Sequence, residues 1–253
     1  MPNLRLIARL DIKGPYLIKP IQLEGVRKVG DPNEFAVRYY QEGADEILYM
    51  DAVASLYDRD MLLKIVERTA EDVFVPITVG GGIRSVDDAQ ALLRAGADKV
   101  AVNSAATQNP RLIGEIAGQF GSQCMVLQID AKQRPEGGWE AYRDCGREHT
   151  GLDAVAWAKE GERLGAGEIL LTSVDREGTR RGFDIDLIRA IASAVSIPVI
   201  ASGGMGRIEH LFEAARQGLA DAVAMAHVLH YNQLCLADIR SQSQAHGLSV
   251  RLM

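Results

Sequence analysis

Short apolar runs alternate with longer amphipathic stretches along the whole chain. The runs are rich in β-branched residues and about five to eight residues long, which is typical of buried strands. We predict strands near residues 5–11, 46–51, 75–79, 98–103, 124–130, 168–173, 197–201 and 221–225. Helical patterns lie between them, such as DPNEFAVRYYQEG (31–43), with Asp31 as N-cap, Pro32 at the first helical position and Gly43 as the stop. Eight strand–helix units in 253 residues predict an α/β fold, a single (β/α)8 TIM barrel domain over residues 1–253.

Three stretches of the first half recur in the same order in the second half. ADEILYMDAV (44–53) matches AGEILLTSVD (166–175), ITVGGGIRS (77–85) matches VIASGGMGR (199–207), and ADKVAVNSA (97–105) matches ADAVAMAHV (220–228). The offset is roughly 120 residues, so the sequence predicts a barrel built from two similar half-barrels. A doubly wound sheet is the competing α/β fold, but it does not explain the repeat. GGWEAYRDCGREHTG (137–151) is predicted to be a hairpin on the catalytic face with no counterpart in the first half.

Two predicted strands end in an aspartate at equivalent places in the two halves, Asp11 and Asp130. Active sites of these barrels lie at the C-terminal ends of the strands, so the two carboxyls are expected to face each other across the barrel mouth. Apolar flanks suit them to divide general acid and base duties. Alternatively, each aspartate caps the next loop or pairs with Lys13 or Lys132. The duplication favours catalysis.

Glycine runs follow the third and seventh predicted strands, at 80–82 and 203–204. Glycine allows backbone N–H groups to approach an anion, so two symmetric turns predict two phosphates on one elongated substrate, although tight turns without a ligand use glycine as well. The candidate substrate-binding residues at these turns and the neighbouring strand ends are Asp51, Gly82, Asn103, Ser104, Thr172, Glu177, Gly178, Gly204, Ala226 and His227. A positive His227 could help to hold phosphate.

The opposite rim of the predicted barrel is charged, because four strands begin with Arg5, Glu46, Lys99 and Glu168. Alternation along the strand places Arg5 on the same side as Asp11, which points into the barrel. A solvated rim would be the ordinary interpretation. Because both signs are present and point inward, we expect a closed ring of salt bridges at the barrel floor.

Composition narrows the functional classes. The chain is 47% hydrophobic, with a net charge of −6 and a pI near 5.4, which argues against nucleic-acid and anionic-membrane partners. Three distant cysteines without CxxC spacing, and five histidines without HxH or HExxH spacing, predict neither disulfides nor a metal site. The N-terminus MPNLRLIARL lacks a signal-peptide pattern, so we expect a cytoplasmic protein.

The motifs RLDIK, GADEILYMD, PITVGGGIRS, GADKVAVNSAA, GAGEILLTSVDREGT and SIPVIASGG resemble those of the HisF family over essentially the whole chain. That family is the cyclase subunit of imidazole glycerol phosphate synthase. The resemblance implies a lyase of histidine biosynthesis that takes ammonia from a HisH-like glutaminase subunit in a heterodimer. It splits a bisphosphate, phosphoribulosyl-formimino-aminoimidazole carboxamide ribonucleotide, into imidazole glycerol phosphate and aminoimidazole carboxamide ribonucleotide. No metal or organic cofactor is implied.

The same resemblance implies roles for particular residues. Asp11 and Asp130 would be the general acid/base pair, and Lys19 would belong to a mobile loop over the substrate. The implied ammonia gate and partner interface consist of Arg5, Glu46, Asp98, Lys99 and Glu168.

Several positions depart from the family pattern. They are Arg9 and Gln128, where small residues are usual, Pro20 for glycine, Glu177 for aspartate and His227 for serine. Alternation places Arg9 inside the barrel beneath Asp11, and a buried guanidinium needs a partner. We therefore expect an Arg9–Asp11 contact, with Gln128 on the far side of Arg9.

The departures leave alternative functions open. One is a HisF-like paralogue that delivers ammonia to another phosphorylated substrate, such as a nucleotide sugar that is amidinated. Another is a HisA-type sugar isomerase, which needs no ammonia and is disfavoured by the charged floor. The last is a non-catalytic scaffold, which the two aspartates and two phosphate turns disfavour.

Overall fold

A computed structural model of the chain describes residues 3–21, 24–52 and 59–252. Its eight parallel strands confirm the predicted barrel. They are β1 (Arg5–Lys13), β4 (Glu46–Asp51), β5 (Ile77–Gly80), β6 (Lys99–Val102), β7 (Met125–Gln133), β10 (Glu168–Ser173), β11 (Val199–Ser202) and β12 (Ala222–Met225). The ring closes because β10 pairs with both β11 and β7. In this order β1 and β7 lie on opposite sides of the barrel.

Helices cover the outside of the barrel. They are α1 (Pro32–Gln41), α2 (Arg59–Asp72), α3 (Val86–Arg94), α4 (Ser104–Gln108), α5 (Arg111–Phe120), α6 (Ala154–Leu164), α7 (Ile185–Ala192), α8 (Ile208–Arg216), α9 (His227–His230) and α10 (Leu236–Ala245), with a 3-10 turn at Ser122–Cys124. Asp31 caps α1 as predicted, and its side chain accepts from the backbone N–H groups of Asn33 and Glu34. Within the described ranges, none of the helices combines the length and the apolar character that a membrane span requires.

Each half-barrel carries a hairpin after its first strand. The predicted hairpin in the second half is β8 (Trp139–Arg143) and β9 (Glu148–Asp153), and it is confirmed. The expectation that it has no counterpart was wrong, because β2 (Tyr16–Ile21) and β3 (Glu24–Gly30) form an antiparallel pair that extends β1. The proline in YLIKPI and the charges in EGVRKVG hide strand alternation in the first half.

The barrel interior is layered from floor to mouth. Charged residues form the floor, and nine buried apolar side chains fill the layers above it: Ile7, Leu48, Met50, Ala101, Val126, Leu170, Ile200, Ala222 and Ala224. The top layer is polar, with Arg9, Asp11, Gln128, Asp130, Thr172 and Ser202 all buried. A larger apolar core packs between the strands and the helices. The apolar layers therefore separate the partly buried charges of the floor from the buried charges of the mouth.

Three aspartates tie neighbouring strands together at the floor. The carboxylate of Asp45, just before β4, accepts from the backbone N–H of Leu6 in β1 at 2.8 Å. Asp98 before β6 and Asp221 before β12 do the same for Ile77 and Val199, at 2.8 and 2.9 Å. Each carboxylate thus fixes where its neighbouring strand begins.

Candidate active site

The two predicted catalytic aspartates lie at the barrel mouth on opposite strands. Asp11 is near the end of β1 and Asp130 near the end of β7, and each is 2% exposed. At the mouth both strands run on into a hairpin, so backbone pairing continues past each carboxyl and holds it in place. Asp130 pairs across β8 with Tyr142, and Asp11 across β2 with Ile18. The geometry therefore places two buried carboxyls at one mouth, as predicted.

Asp11 lies between two cations. The Nε of Arg9 donates to its Oδ1 at 2.9 Å, and the Nζ of Lys19 lies 3.8 Å from its Oδ2. The predicted Arg9–Asp11 contact is confirmed. One terminal nitrogen of Arg9 also donates to Thr172 at 3.1 Å and to Ser202 at 2.9 Å. Burial opposes the charge of this guanidinium, but the charges of Asp11 and Glu177 outweigh that effect and raise the Arg9 pKa.

Asp130 is held by neutral amides instead. Gln128 donates to its two oxygens at 3.1 and 3.3 Å, and Asn103 donates to Oδ2 at 2.9 Å. The expectation that Gln128 lies on the far side of Arg9 was wrong, because its amide turns up the strand to Asp130. Burial raises the Asp130 pKa, and the hydrogen bonds from Gln128 oppose that rise. The raised pKa favours the protonated form of Asp130, which suits this carboxyl to donate a proton.

The predicted phosphate turn after β5 opens onto a cavity of about 400 Å³. Gly82, Asn103, Ser104 and Asp51 line it together with Asp130, so the structure brings five predicted site residues together. Gly81 has a φ of +101°, and a Cβ there would lie 2.5 Å from the carbonyl oxygen of Asp51. Only glycine permits this close turn. We call this cavity the open pocket.

Beside β11 and β12 the mouth has a second pocket of only about 20 Å³. We call it the closed pocket. It is lined by Arg9, Lys19, Glu177, Gly178, Ser202, Gly203, Gly204, Met205, Ala224, Met225, Ala226 and His227. Gly204 has a φ of +110°, and a Cβ there would lie 2.2 Å from the carbonyl oxygen of Gly182. Thr172, also predicted as a site residue, is not among the residues that line this pocket. Its side chain accepts a hydrogen bond from Arg9, which does line it.

Lys19 lines the closed pocket and pairs there with a glutamate. It lies on β2, is 4% exposed, and forms a short salt bridge with Glu177, which is also 4% exposed. The mobility implied for Lys19 stays a prediction, whereas its contact with the site residues is shown by this pair. The neighbouring Pro20 has its side chain outside the described part of the chain.

The expected positive charge on His227 is not supported. Burial lowers its pKa, and the nearby cations Arg180 and Lys19 lower it further. The imidazole is therefore neutral near pH 7. Its Nε2 is buried and has no hydrogen-bond partner among the described residues. A neutral imidazole can still donate one hydrogen bond to a ligand.

The predicted ring of salt bridges at the floor is confirmed. Arg5 contacts Glu46 at 3.0 Å and also contacts Glu168, while Lys99 contacts both glutamates at 2.9 Å. Thr78 donates to the other oxygen of Glu46. Burial opposes the charge of Arg5, but Glu168 and Glu46 outweigh it and raise the Arg5 pKa. Alternating charges thus close the lower end of the barrel.

Asp98 lies outside this ring. It is exposed, and its Oδ2 accepts from Ile77 in the strand-start contact described above. Its place at the floor face is compatible with a partner nearby, and that role stays a prediction.

Sequence reasoning missed Ser202 and the hairpin residues Arg143, Cys145 and Glu148, which line the site. Alternation from the buried Ile200 could have identified Ser202. The hairpin residues carry no comparable signal. Burial, then the charge of Asp130, raises the pKa of the Cys145 thiol to about 11, so it is not a nucleophile at neutral pH. Within the described residues, no group of three or more His, Cys, Asp or Glu is arranged to hold a metal ion.

Comparisons with known proteins agree over most of the chain. A family model described as "Histidine biosynthesis protein" matches residues 5–235. The "Imidazole glycerol phosphate synthase subunit HisF" of Legionella pneumophila is 67% identical over 209 residues, covering 83% of this chain and 99% of that protein. Proteins of the same name from Nostoc sp. and Trichormus variabilis are each 48% identical over 255 residues, covering 100% of this chain and 98% and 99% of theirs.

Proposed function

Because this chain belongs to the histidine biosynthesis protein family, we propose that it is the cyclase subunit of an imidazole glycerol phosphate synthase. In this reaction ammonia and phosphoribulosyl-formimino-aminoimidazole carboxamide ribonucleotide give imidazole glycerol phosphate, aminoimidazole carboxamide ribonucleotide and water, the water coming from the ribulosyl ketone as the ring closes. The observation that carries the proposal is the mouth, where two buried carboxyls lie on opposite strands beside two glycine-lined pockets. Asp130 lines the open pocket, and Asp11 contacts Arg9 and Lys19, which line the closed pocket.

The two carboxyls have different environments that suit different proton-transfer roles. Asp130 has a raised pKa and accepts hydrogen bonds from the amides of Gln128 and Asn103, so it is the proposed proton donor to the leaving nitrogen. Asp11 accepts a hydrogen bond from Arg9 and lies beside Lys19, so it is the proposed base or electrostatic anchor. Incorporating ammonia into a ring requires both, because the nitrogen loses protons while the departing group gains one.

Two anion sites match a substrate with two phosphates. The open pocket offers Gly82, Asn103 and Ser104 for one phosphate. The closed pocket offers Gly178, Gly204 and the Ala226–His227 turn, with Lys19 as the charge that meets the second phosphate. The acid and the base lie between these sites, where the bond-breaking part of an elongated substrate would be.

The barrel axis is the proposed route for ammonia. Ammonia is small and uncharged, so it can cross the apolar layers above the floor, which a charged ammonium ion would cross only at high cost. The ring of Arg5, Glu46, Lys99 and Glu168 is the proposed gate, and Asp98 beside it is the proposed contact with a partner. A subunit name implies a partner, and we propose that it is a HisH-like glutaminase that docks on the floor face in a heterodimer.

The alternative functions, a paralogue with another substrate, a HisA-type isomerase and a non-catalytic scaffold, are not favoured. The relatives bear the name of the synthase subunit and match over most of their own length, and none of the three is named as an isomerase. Both aspartates, both glycine-lined pockets and the floor ring are in place, which a scaffold would not need.

Turnover of the bisphosphate substrate with ammonium salt at high pH tests the cyclase function without any partner. We expect both products to form and Asp130→Asn to abolish their formation. Absence of turnover by the folded wild-type protein would refute the proposal.

The gate and the partner are tested by comparing glutamine-dependent with ammonia-dependent turnover in the presence of a HisH-like glutaminase. Lys99→Met should lower the glutamine-dependent rate more than the ammonia-dependent rate. Lys159→Met, an exposed lysine on α6, is the matched control and should change neither. Equal effects of both substitutions would remove the gate assignment.

A further inference from the structure

Four buried charges form a chain beside the closed pocket. Arg9, Asp11, Lys19 and Glu177 are each at most 4% exposed. Arg9 contacts Asp11, Asp11 lies 3.8 Å from Lys19, and Lys19 contacts Glu177, so positive and negative charges alternate. Two cations and two anions balance, which is the condition under which buried charges are tolerated.

The closed pocket is narrow, and Arg9, Lys19 and Glu177 line it. It measures about 20 Å³, whereas the open pocket on the other side of the mouth measures about 400 Å³. A volume of this size holds about one water, not a phosphate group. The carboxylate of Glu177 bonds to Lys19 within it, and the charge of Glu177 also acts on Arg9. Glu177 therefore already provides an anion where both cations converge.

We propose that Glu177 is an internal substitute for the second phosphate: a phosphate entering the closed pocket displaces its carboxylate and takes over Lys19, with Arg9 as an additional phosphate-binding residue. The inference rests on the proposed function for its identification of the ligand as a phosphate monoester. It adds a competing side chain and a guanidinium to that site.

Charge balance is the reason for an exchange rather than simple addition. A phosphate added beside Asp11 and Glu177 would place three anions in a buried space against the two buried cations Arg9 and Lys19. Expelling Glu177 restores most of the balance. The guanidinium of Arg9 also presents a planar set of donors that suits phosphate oxygens.

Two further features favour the exchange. The buried Nε2 of His227, which lines the closed pocket, has no hydrogen-bond partner among the described residues and could be satisfied by a phosphate oxygen. Glu177 lies in the turn after β10 between the exposed Arg176 and the glycine Gly178, whose φ is +72°. A displaced Glu177 side chain would therefore move into solvent beside the exposed Arg176.

Calorimetric titration with inorganic phosphate at constant ionic strength tests the exchange. Crystal structures of the wild type and of each variant grown with phosphate show which pocket the phosphate occupies. Glu177→Gln keeps the shape and removes the competing charge, so phosphate should bind the closed pocket about tenfold more tightly. Glu148→Gln at the open pocket is the matched control and should leave the closed pocket unchanged. Lys19→Met and Arg9→Met should each weaken phosphate binding there by about tenfold or more.

The outcomes separate this inference from the proposed function. Equal affinity of wild type and Glu177→Gln, with phosphate in the closed pocket and Glu177 unmoved, would overturn the exchange but leave the phosphate site standing. No phosphate in the closed pocket of any variant would overturn both the exchange and the second phosphate site. Tighter binding in Glu177→Gln without turnover of the bisphosphate would support the exchange and refute the proposed reaction.

Discussion

The two half-barrels place an aspartate at the same position and surround it differently. In the first half Asp11 lies between Arg9 and Lys19, whereas in the second half Asp130 accepts hydrogen bonds from Gln128 and Asn103. The residue two positions before each aspartate accounts for much of the contrast, since Arg9 and Gln128 occupy equivalent places. A single substitution on each inward-facing strand position can therefore convert a symmetric pair of carboxyls into an unequal one.

The open and closed pockets differ in the same way, because neutral amides border one and buried charges border the other. The open pocket borders Asp130 and its amide donors, and it is lined mainly by strand ends of the first half together with the β8–β9 hairpin. The closed pocket borders the buried charges Arg9, Lys19 and Glu177, and it is lined mainly by strand ends of the second half. A buried charge needs a counter-charge beside it. Arg9 and Lys19 therefore lie with Glu177 in the closed pocket, whereas the amides of Gln128 and Asn103 need no counter-charge beside the open pocket. The same backbone symmetry thus gives one site ready for a ligand and one site that must rearrange.

Removing either carboxyl is expected to have the largest effect. Asp11→Asn and Asp130→Asn should each lower ammonia-dependent turnover by about 10²- to 10⁴-fold, because each removes a proton-transfer group. Steady-state assays of the two variants, with circular dichroism to confirm folding, measure this. Near-normal turnover of one variant would show that only the other half performs proton transfer.

The contrast between charge and amide should also appear in stability. Arg9→Met leaves Asp11 with Lys19 alone and should lower the free energy of unfolding by about 3 kcal/mol, as expected when one partner of a buried ion pair is removed. The equivalent change Gln128→Met removes neutral hydrogen bonds and should cost only about 1 kcal/mol. Urea unfolding of both variants tests the difference; equal losses would mean that the Arg9 pair contributes no more than an amide.

The pH dependence of turnover should follow Asp130. Its pKa is raised in the folded protein, and a proton donor is active only when protonated, so turnover at constant free ammonia should fall as pH rises through that pKa. Because the hydrogen bonds from Gln128 lower the pKa, Gln128→Leu should move the descending limb to higher pH. A limb that stays in place in Gln128→Leu would identify a different acid.

Removing the helix caps that follow the two hairpins should have the smallest effect on stability, and the effect should be the same in both halves. Asp31 caps α1 and Asp153 caps α6, each accepting from two backbone N–H groups. Asp31→Ala and Asp153→Ala should each cost about 1 kcal/mol, or about 2–4 °C in Tm. Thermal unfolding checks this, and a markedly larger loss in one variant would show that the halves differ in their scaffold as well as in their site.

The sequence predicted features that depend on strand periodicity. Alternation placed Arg5 and Arg9 inside the barrel, and the floor ring and the Arg9–Asp11 contact followed from that placement. It did not predict the Lys19–Glu177 pair, because that contact joins a hairpin to a distant turn, and no local pattern reports on it. The partner of Gln128 was wrong because strand position fixes a side chain's face but not the direction of its amide. The lowered pKa of His227 was not predicted, because burial, its largest cause, depends on packing.

The aspartates that precede three of the strands also make the junctions between neighbouring strands unequal at the barrel floor. Asp45, Asp98 and Asp221 each clamp one pair of neighbouring strands, but the corresponding position before β10 is Gly167, where a Cβ would lie 2.1 Å from the carbonyl oxygen of Ser122. The junction of β7 with β10 therefore cannot carry such a clamp. We therefore expect faster amide hydrogen exchange at the lower end of this junction than at the lower ends of the three junctions that an aspartate joins.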